Sequence, residues 1–347
     1  MATLTVRPIG IRDLTGFRAL QRIPLGLGDG GAPVGPMGAG VLASLPVTRR
    51  YWRGYIATAS QGLRAAVEIQ PEPRDYRWVV AALAAGPGPD SVPEQSELLV
   101  DVWEALLIAA IRAAGASGAK RLHACAPLDG PALEALLRAN FTIYAYQTTL
   151  AASGVGPGAL NGTVIREQEP SDAWALQQLY QRATPQPVQF AEAFTTNHWD
   201  VGRRAAWRVR GFLVERDHQA VAYCRVTSRG HQHVVDVLAL PGEAGLLREL
   251  VPQALARSGA GENDEVWVGV PDYHSEYISH LEAVGFAVTG RQARMVRYTA
   301  VPVRTSQARP LPLVPEVGER LSARLPSYST TGTTPPADGV TSGTLTV

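Results

Sequence analysis

His233–Gly259 reads HVVDVLALPGEAGLLRELVPQALARSG, Asp264–Phe286 reads DEVWVGVPDYHSEYISHLEAVGF, and Ala287–Tyr298 reads AVTGRQARMVRY. Val234–Leu240 is a nearly unbroken apolar run that stops at Pro241 and Gly242, the pattern of a strand buried on both faces followed by a turn. Leu246, Leu247, Leu250, Val251, Ala254 and Leu255 then recur at three- and four-residue spacing, which makes one apolar stripe of a helix closed by Gly259. Val266, Trp267, Val268 and Val270 predict a second buried strand before Pro271. Tyr277 to Val284 predict a short helix ending at Gly285, and a last strand runs from Phe286 towards Val296.

Strand, turn, helix, strand, helix ending in Gly-Phe, strand: this order resembles the acyl-coenzyme A half of the GCN5-related N-acetyltransferase (GNAT) family. The valine-rich strand that stops at a proline and the LEAVGF ending carry the resemblance. It implies an α/β fold and transfer of an acyl group from acetyl-CoA or another acyl-CoA to an amine. No metal takes part in that chemistry.

The chain repeats itself. LTVRPIGIRDLTGFRAL, from Leu4, matches VIREQEPSDAWALQQL, from Val164, placing Arg7 over Arg166 and Asp13 over Asp172; each reads as a short strand, a capping Asp and an amphipathic helix. LEALLRANFTIYAYQTTL matches SHLEAVGFAVTGRQARMV, placing Phe141 over Phe286 and Gln147 over Gln292, and RLHACAP matches EVWVGVP. The expected architecture is two tandem GNAT-like units side by side, each a mixed, mostly antiparallel sheet flanked by helices. Ala151–Gly162, rich in Gly and Pro, reads as a linker, so the expected divisions are 1–152, a linker at 153–162, 163–302, and an extension at 303–347. From about Ser327 the extension is polar and of low complexity, and no structure is expected of it.

A length of 347 residues with 46% hydrophobic content suits two domains with real cores. The net charge of +1 and the lack of a concentrated basic face argue against nucleic acid as a partner. No run reaches the ~18 apolar residues of a membrane span, and Met1–Leu20 lacks the apolar core of a signal peptide, so a cytoplasmic protein is expected. Cys125 and Cys224 sit inside apolar strands as buried thiols. Gly26, Gly28 and Gly31 fit G-x-G-x-x-G, but an amphipathic pattern precedes them and Pro33 and Pro36 follow, so a loop is expected there and not a dinucleotide site. His231 and His233 could share a metal only with a third ligand that no sequence neighbour offers, and solvated histidines at a hairpin turn are expected.

The resemblance also implies a loop of the form Arg/Gln-x-x-Gly-x-Gly/Ala whose amides hold the pyrophosphate. Neither unit keeps it: the first carries Asp90, Pro93, Glu94 and Gln95 there, and the second is about six residues shorter, with Glu243 at the helix start. Two or three lost charge-assisted hydrogen bonds would remove roughly 3 to 8 kcal/mol of binding, against ~0.3 to 1 kcal/mol returned by a helix dipole. The tyrosine that many family members use as the acid, five residues before the Gly-Phe phenylalanine, is Leu136 in one unit and Leu281 in the other. Tyr273, His274 and Tyr277 lie close by as substitutes. Asp236, on a half-buried strand, is the candidate base, with desolvation raising its pKa.

The expected catalytic residues are therefore Asp236, His274 and Tyr273. Acyl-CoA is expected to bind at Leu238, Leu240, Gly242, Ala244, Gly245 and Leu246 of the second unit. The expected acceptor is a small-molecule or peptide amine, and no metal ligand is expected. The missing loop and tyrosine imply weakened or lost activity. The competing expectation is a non-catalytic tandem module of the same fold that binds a small ligand or a protein partner.

Overall fold

The structure, a computed structural model, describes residues 4–10, 13, 20–25, 53–58, 64–72, 76–86, 93–155, 162–204 and 207–299. The Gly26–Gly31 motif, Asp90, most of the expected linker and the whole extension lie outside these residues, as do the side chains of Pro93–Ser96.

From Arg53 in the first repeat and from Trp207 in the second, the two repeats build the same order of elements: three strands, a helix, a strand, a helix and a strand. In the first, β1 (Thr5–Pro8), β2 (Gln21–Pro24), β3 (Arg53–Thr58), β4 (Arg64–Glu72) and β5 (Arg77–Ala85) precede helix α1 (Pro93–Ala116); β6 (Arg121–Pro127), α2 (Pro131–Arg138) and β7 (Thr142–Ser153) follow. In the second, β8 (Ile165–Glu167), α3 (Ala173–Ala183), α4 (Gln186–Glu192) and β9 (Gly202–Arg204) lead into the meander β10 (Trp207–Arg216), β11 (Gln219–Arg229) and β12 (Gln232–Ala239). Helix α5 (Leu247–Ser258), β13 (Glu265–Pro271), α6 (Glu276–Glu282) and β14 (Ala287–Tyr298) complete it. The linker expected from Ala151 begins later than the composition suggests, because β7 continues to Ser153, which pairs with Glu265.

Local chemistry repeats with the elements. Arg7 clamps Asp13 through two bonds of 2.6 Å, and Asp13 accepts from the Gly10 amide. Arg166 clamps Asp172 through two bonds of 2.7 Å, and Asp172 accepts from the Glu169 amide. At the other end, the Phe141 amide returns to the Leu136 carbonyl at 3.0 Å and the Phe286 amide to Leu281 at 3.2 Å. These closures need a left-handed residue after the helix; Asn140 supplies it at φ 61° and Gly285 at φ 103°.

All of these strands join one sheet, in the order β1-β3-β4-β5-β6-β14-β7-β13-β12-β11-β10-β8, with β2 on β5 and β9 on β10. The units are not simply side by side. β14, the last strand of the second repeat, lies between β6 and β7, while β7 of the first repeat pairs with β13. The cores show the same exchange: Ala293 and Met295 are buried with Trp103, Leu106 and Phe141 of the first repeat, and Leu150 and Ala152 are buried with Val268, Leu281 and Phe286 of the second. Neither of these two 12-residue strands can be withdrawn from the sheet without exposing an apolar face of the other half, so each half completes the other.

Candidate functional site

Two parallel strand pairs in this sheet diverge part-way along their length, and each divergence leaves a row of backbone groups facing a gap. In the first half β5 and β6 pair only over Arg77–Val79 and Arg121–His123. The chain itself fills the gap beyond. β2 pairs antiparallel with Ala82–Ala85, the Leu25 amide donates to Ala81 at 2.9 Å, and the Leu25 carbonyl accepts from the Cys125 amide at 3.0 Å. Leu25 is fully buried there.

In the second half β12 and β13 pair over Gln232–Val235 and Glu265–Val268, then separate. No strand among the described residues enters this gap. The Tyr277 hydroxyl accepts from the Ala239 amide at 2.9 Å and donates to the Ala239 carbonyl at 2.8 Å. Backbone groups alternate sides along a strand, so Val237, two residues earlier, also turns its amide and carbonyl towards the gap.

A pocket opens at this divergence. Its walls come from β12 (Asp236, Val237, Leu238), the end of β13 and the turn after it (Gly269, Pro271, Tyr273, His274), α3 and α4 (Tyr180, Glu192), and both exchanged strands (Gln147 and Arg294). Tyr180, Phe194, Trp199 and Tyr223 form a packed aromatic side, with Phe194 stacked on His198 at 3.7 Å between ring centres.

Two ion pairs face this space. Arg225 Nε donates to Asp236 at 3.0 Å and its Nη1 to the His198 carbonyl at 3.0 Å. Arg294, from β14, contacts Glu192 at 2.7 Å and donates to the Tyr273 hydroxyl at 3.4 Å. Burial pushes the Glu192 carboxyl up to about 7, although hydrogen bonds from Tyr180 and Tyr144 draw it down. Burial likewise brings the Arg294 guanidinium down to about 9. The contact between the two opposes both shifts, since each is the charge that the other requires.

No protein-family model matches this sequence, and no curated protein does. Solved structures match. A tandem GNAT protein from the clavulanic acid biosynthesis pathway superposes with a TM-score of 0.50 at 13% identity, over 86% of this chain and 99% of that one. A GCN5-related N-acetyltransferase from Sphaerobacter thermophilus superposes with a TM-score of 0.51 at 15% identity, over 85% of this chain and 96% of that one. The chain has the tandem GNAT fold.

Within that fold the structure brings the three expected catalytic residues together: Asp236, Tyr273 and His274 all line the one pocket. Asp236 differs from expectation in its surroundings. Expected as a desolvated carboxylate on a half-buried strand, it is held in an ion pair by Arg225. His274 is buried, stacked on Tyr277 at 4.5 Å, and its Nε2 has no hydrogen-bond partner among the described residues. Burial lowers its pKa, against a weaker pull from Glu276 at 3.6 Å. Burial also holds the Tyr273 hydroxyl protonated, with its pKa well above the ordinary value. Tyr277, the third substitute, spends its hydroxyl on Ala239. Leu136 and Leu281, at the family's acid position, are fully buried core residues.

The expected binding segment forms the turn from β12 into α5. Leu238 and Leu240 end the strand, Gly242 turns the chain at φ 86°, and Ala244–Leu246 make one tight helical turn leading into α5. The first amides of such a segment have no intrahelical acceptor. Glu243, whose charge opposes a phosphate there, is bound to Arg216 at 2.5 Å. Gly245 has nothing within 4 Å of where a side chain would begin.

Of the two histidines expected to be solvated at a hairpin turn, only His231 is exposed. His233 is buried, not solvated, and both His231 and His233 bond to Asp264, at 2.6 and 3.0 Å. Asp264 immediately precedes β13, which lies beside β12 in the sheet, but it is 31 residues on from His233 in the chain, which is why no sequence neighbour pointed to it. The residues that sequence reasoning missed are Glu192, Arg225 and Arg294. Glu192 and Arg225 are charges between apolar neighbours, which was the available signal, whereas Arg294 stands among Arg291, Gln292 and Arg297 and carried none.

Proposed function

We propose that the second half is an acyl-CoA-dependent N-acyltransferase site and that the first half has no such site. The carrying observation is the contrast between the two gaps: Leu25 and β2 close the first, whereas the second adjoins a pocket with buried charges. The acyl-CoA substrate would supply an acyl group activated as a thioester. Val237 on the open strand edge can pair with an extended ligand, and the amides of Ala244 and Gly245 suit its diphosphate, the Leu246 amide being bonded to the Glu243 carbonyl at 3.0 Å.

The amine acceptor lies in the pocket beside Asp236. It must lose a proton to attack, and His274 takes it, being neutral through burial and having a ring nitrogen to spare. A nitrogen–carbon bond forms and the carbon–sulfur bond breaks; the ammonium loses two protons in all, the first released through His274 to solvent and the second, shed by the nitrogen once it is bonded to carbon, passed through His274 to the departing sulfur. Tyr273 keeps its proton; with Arg294 donating to its oxygen, its own O–H can donate to charge developing on the acyl oxygen.

Thermal denaturation with acetyl-CoA tests this. A ligand at a hundred times its dissociation constant stabilises by ~2.7 kcal/mol. His274→Gln should keep that shift and lose turnover of amines. No shift with acetyl-, propionyl- or succinyl-CoA would support the non-catalytic module instead.

A further inference from the structure

We infer that the acceptor is a small zwitterion of the amino-acid class, with an ammonium and a carboxylate on one compact molecule. This rests on the acyltransferase reading above and names the substrate that the pocket selects. The basis is the arrangement of charge on the walls. Arg225 and Asp236 form one ion pair and Arg294 and Glu192 another, and the residues Arg225, Arg294 and Glu192 are each at least 96% buried. Buried ion pairs are poor devices for stability, because well-packed apolar residues of the same size serve a fold as well or better. Two such pairs facing one pocket therefore point to a ligand.

Their signs say which ligand. A simple amine would meet two carboxylates but also two guanidiniums, and a simple anion the reverse. In a space screened poorly by water neither imbalance is cheap. A zwitterion matches both signs. The Arg225–Asp236 pair also has capacity left. Arg225 spends Nε on Asp236 and Nη1 on the His198 carbonyl, and its Nη2 carries no hydrogen bond among the described residues. Asp236 spends Oδ2 on Arg225, and its side chain remains 29% exposed. A carboxylate on Arg225 Nη2 and an ammonium on Asp236 Oδ1 would sit side by side, as they do in an α-amino acid. The unpartnered Nε2 of buried His274 is an independent sign that the pocket is incomplete without a polar ligand. The aromatic side formed by Tyr180, Phe194, Trp199 and Tyr223 limits the size of what fits.

The test offers the full-length protein each of the twenty L-amino acids, the amide of each and the corresponding decarboxylated amine, with acetyl-, propionyl- and succinyl-CoA as donors, and follows release of the free thiol. At least one amino acid should be acylated, and its amide and amine should be poorer by roughly tenfold or more in kcat/KM. Arg225→Gln should shrink that preference to about threefold or less while the acyl-CoA thermal shift persists. An amide or amine as good as its amino acid, or a preference unchanged in Arg225→Gln, overturns the inference. An acyl-CoA shift with no amino acid acylated overturns the acceptor class alone. Absence of any shift overturns the acyltransferase reading and this inference with it.

Discussion

Gln147 Nε2 donates to Gln292 Oε1 at 2.8 Å, and the two residues face each other in register on β7 and β14. They are also the residues that superpose when the two repeats are aligned. A position that meets its own counterpart lies on an approximate two-fold axis, which here runs between the exchanged strands. The site borders this axis, since Gln147 and Arg294 from opposite strands both line the pocket. Neither repeat could complete the site by itself.

Exchange makes the two cores interdependent, because removing either strand strips a sheet neighbour and a buried row from the other half. The chain should therefore unfold in one transition, with calorimetric and van't Hoff enthalpies equal. Two resolved calorimetric transitions would show that the halves are separable.

Phe141 and Phe286 immediately precede the exchanged strands, and each is 3% exposed, in a different core. Truncation of such a side chain costs about 3–5 kcal/mol. Phe141→Ala and Phe286→Ala should each lose that much in urea denaturation, and a loss under about 1 kcal/mol would mean that the site collapses around the gap.

Much of the second repeat was legible in its sequence because its signals are local. The apolar run at Val234, the stripe through Leu246–Leu255 and the closure at Gly285 each depend on neighbours within a few residues. The equivalence of Arg7 with Arg166 was legible too, and so was the pocket's own turn, Pro271 to His274. Strand exchange was not, because a strand's apolar pattern states that it needs a core without stating which one. The β2 plug was equally hidden: QRIPL has no feature that assigns it to a gap between Ala81 and Cys125. Asp264 joined two histidines only through sheet pairing, and Glu192 reached Arg294 only because α4 covers the exchanged strand.

His123 on β6 supplies a test by pH. It is buried beside Arg77 and Arg121, neither ring nitrogen has a hydrogen-bond partner, and burial first and these charges second lower its pKa well below 6.5. The unfolded chain binds a proton below 6.5 that the folded one refuses, so stability is full above that pH and falls as the pH drops towards the lowered value. The slope from one such group is at most about 1.4 kcal/mol per pH unit. His123→Leu should remove that part of the decline between pH 7.5 and 5 in urea denaturation, and a decline as steep as that of the wild type would mean that His123 is protonated in the fold.

Arg294 and Glu192 should reveal their pairing in a double-mutant cycle. Removing one member of a buried ion pair typically costs about 3–5 kcal/mol, since the other charge is left uncompensated. Arg294→Met should pay that cost. Adding Glu192→Gln, which keeps an acceptor for the Tyr180 hydroxyl but no charge, should recover most of it. Additive losses in the double variant would show that the two side chains are not coupled.

The last expectation concerns where acyl-CoA binds. Gly245 lies in the helical turn that opens onto the second gap, its φ is ordinary, and the space where a side chain would begin is empty to 4 Å. An aspartate can therefore be placed there without strain, and its charge would face the position proposed for the diphosphate. The nearest acidic neighbour, Glu243, is already neutralised by Arg216, so the new charge would act alone. Gly245→Asp should leave the melting temperature of the unliganded protein unchanged, within the ±0.5 kcal/mol or so of a neutral surface substitution. It should also abolish the shift with acetyl-CoA. Glu243→Gln should enlarge the shift slightly or leave it as it is, because that carboxylate is already paired with Arg216. A shift that survives Gly245→Asp would place the ligand elsewhere. The first half would then be the next place to look, with Leu25 displaced from the gap between Ala81 and Cys125.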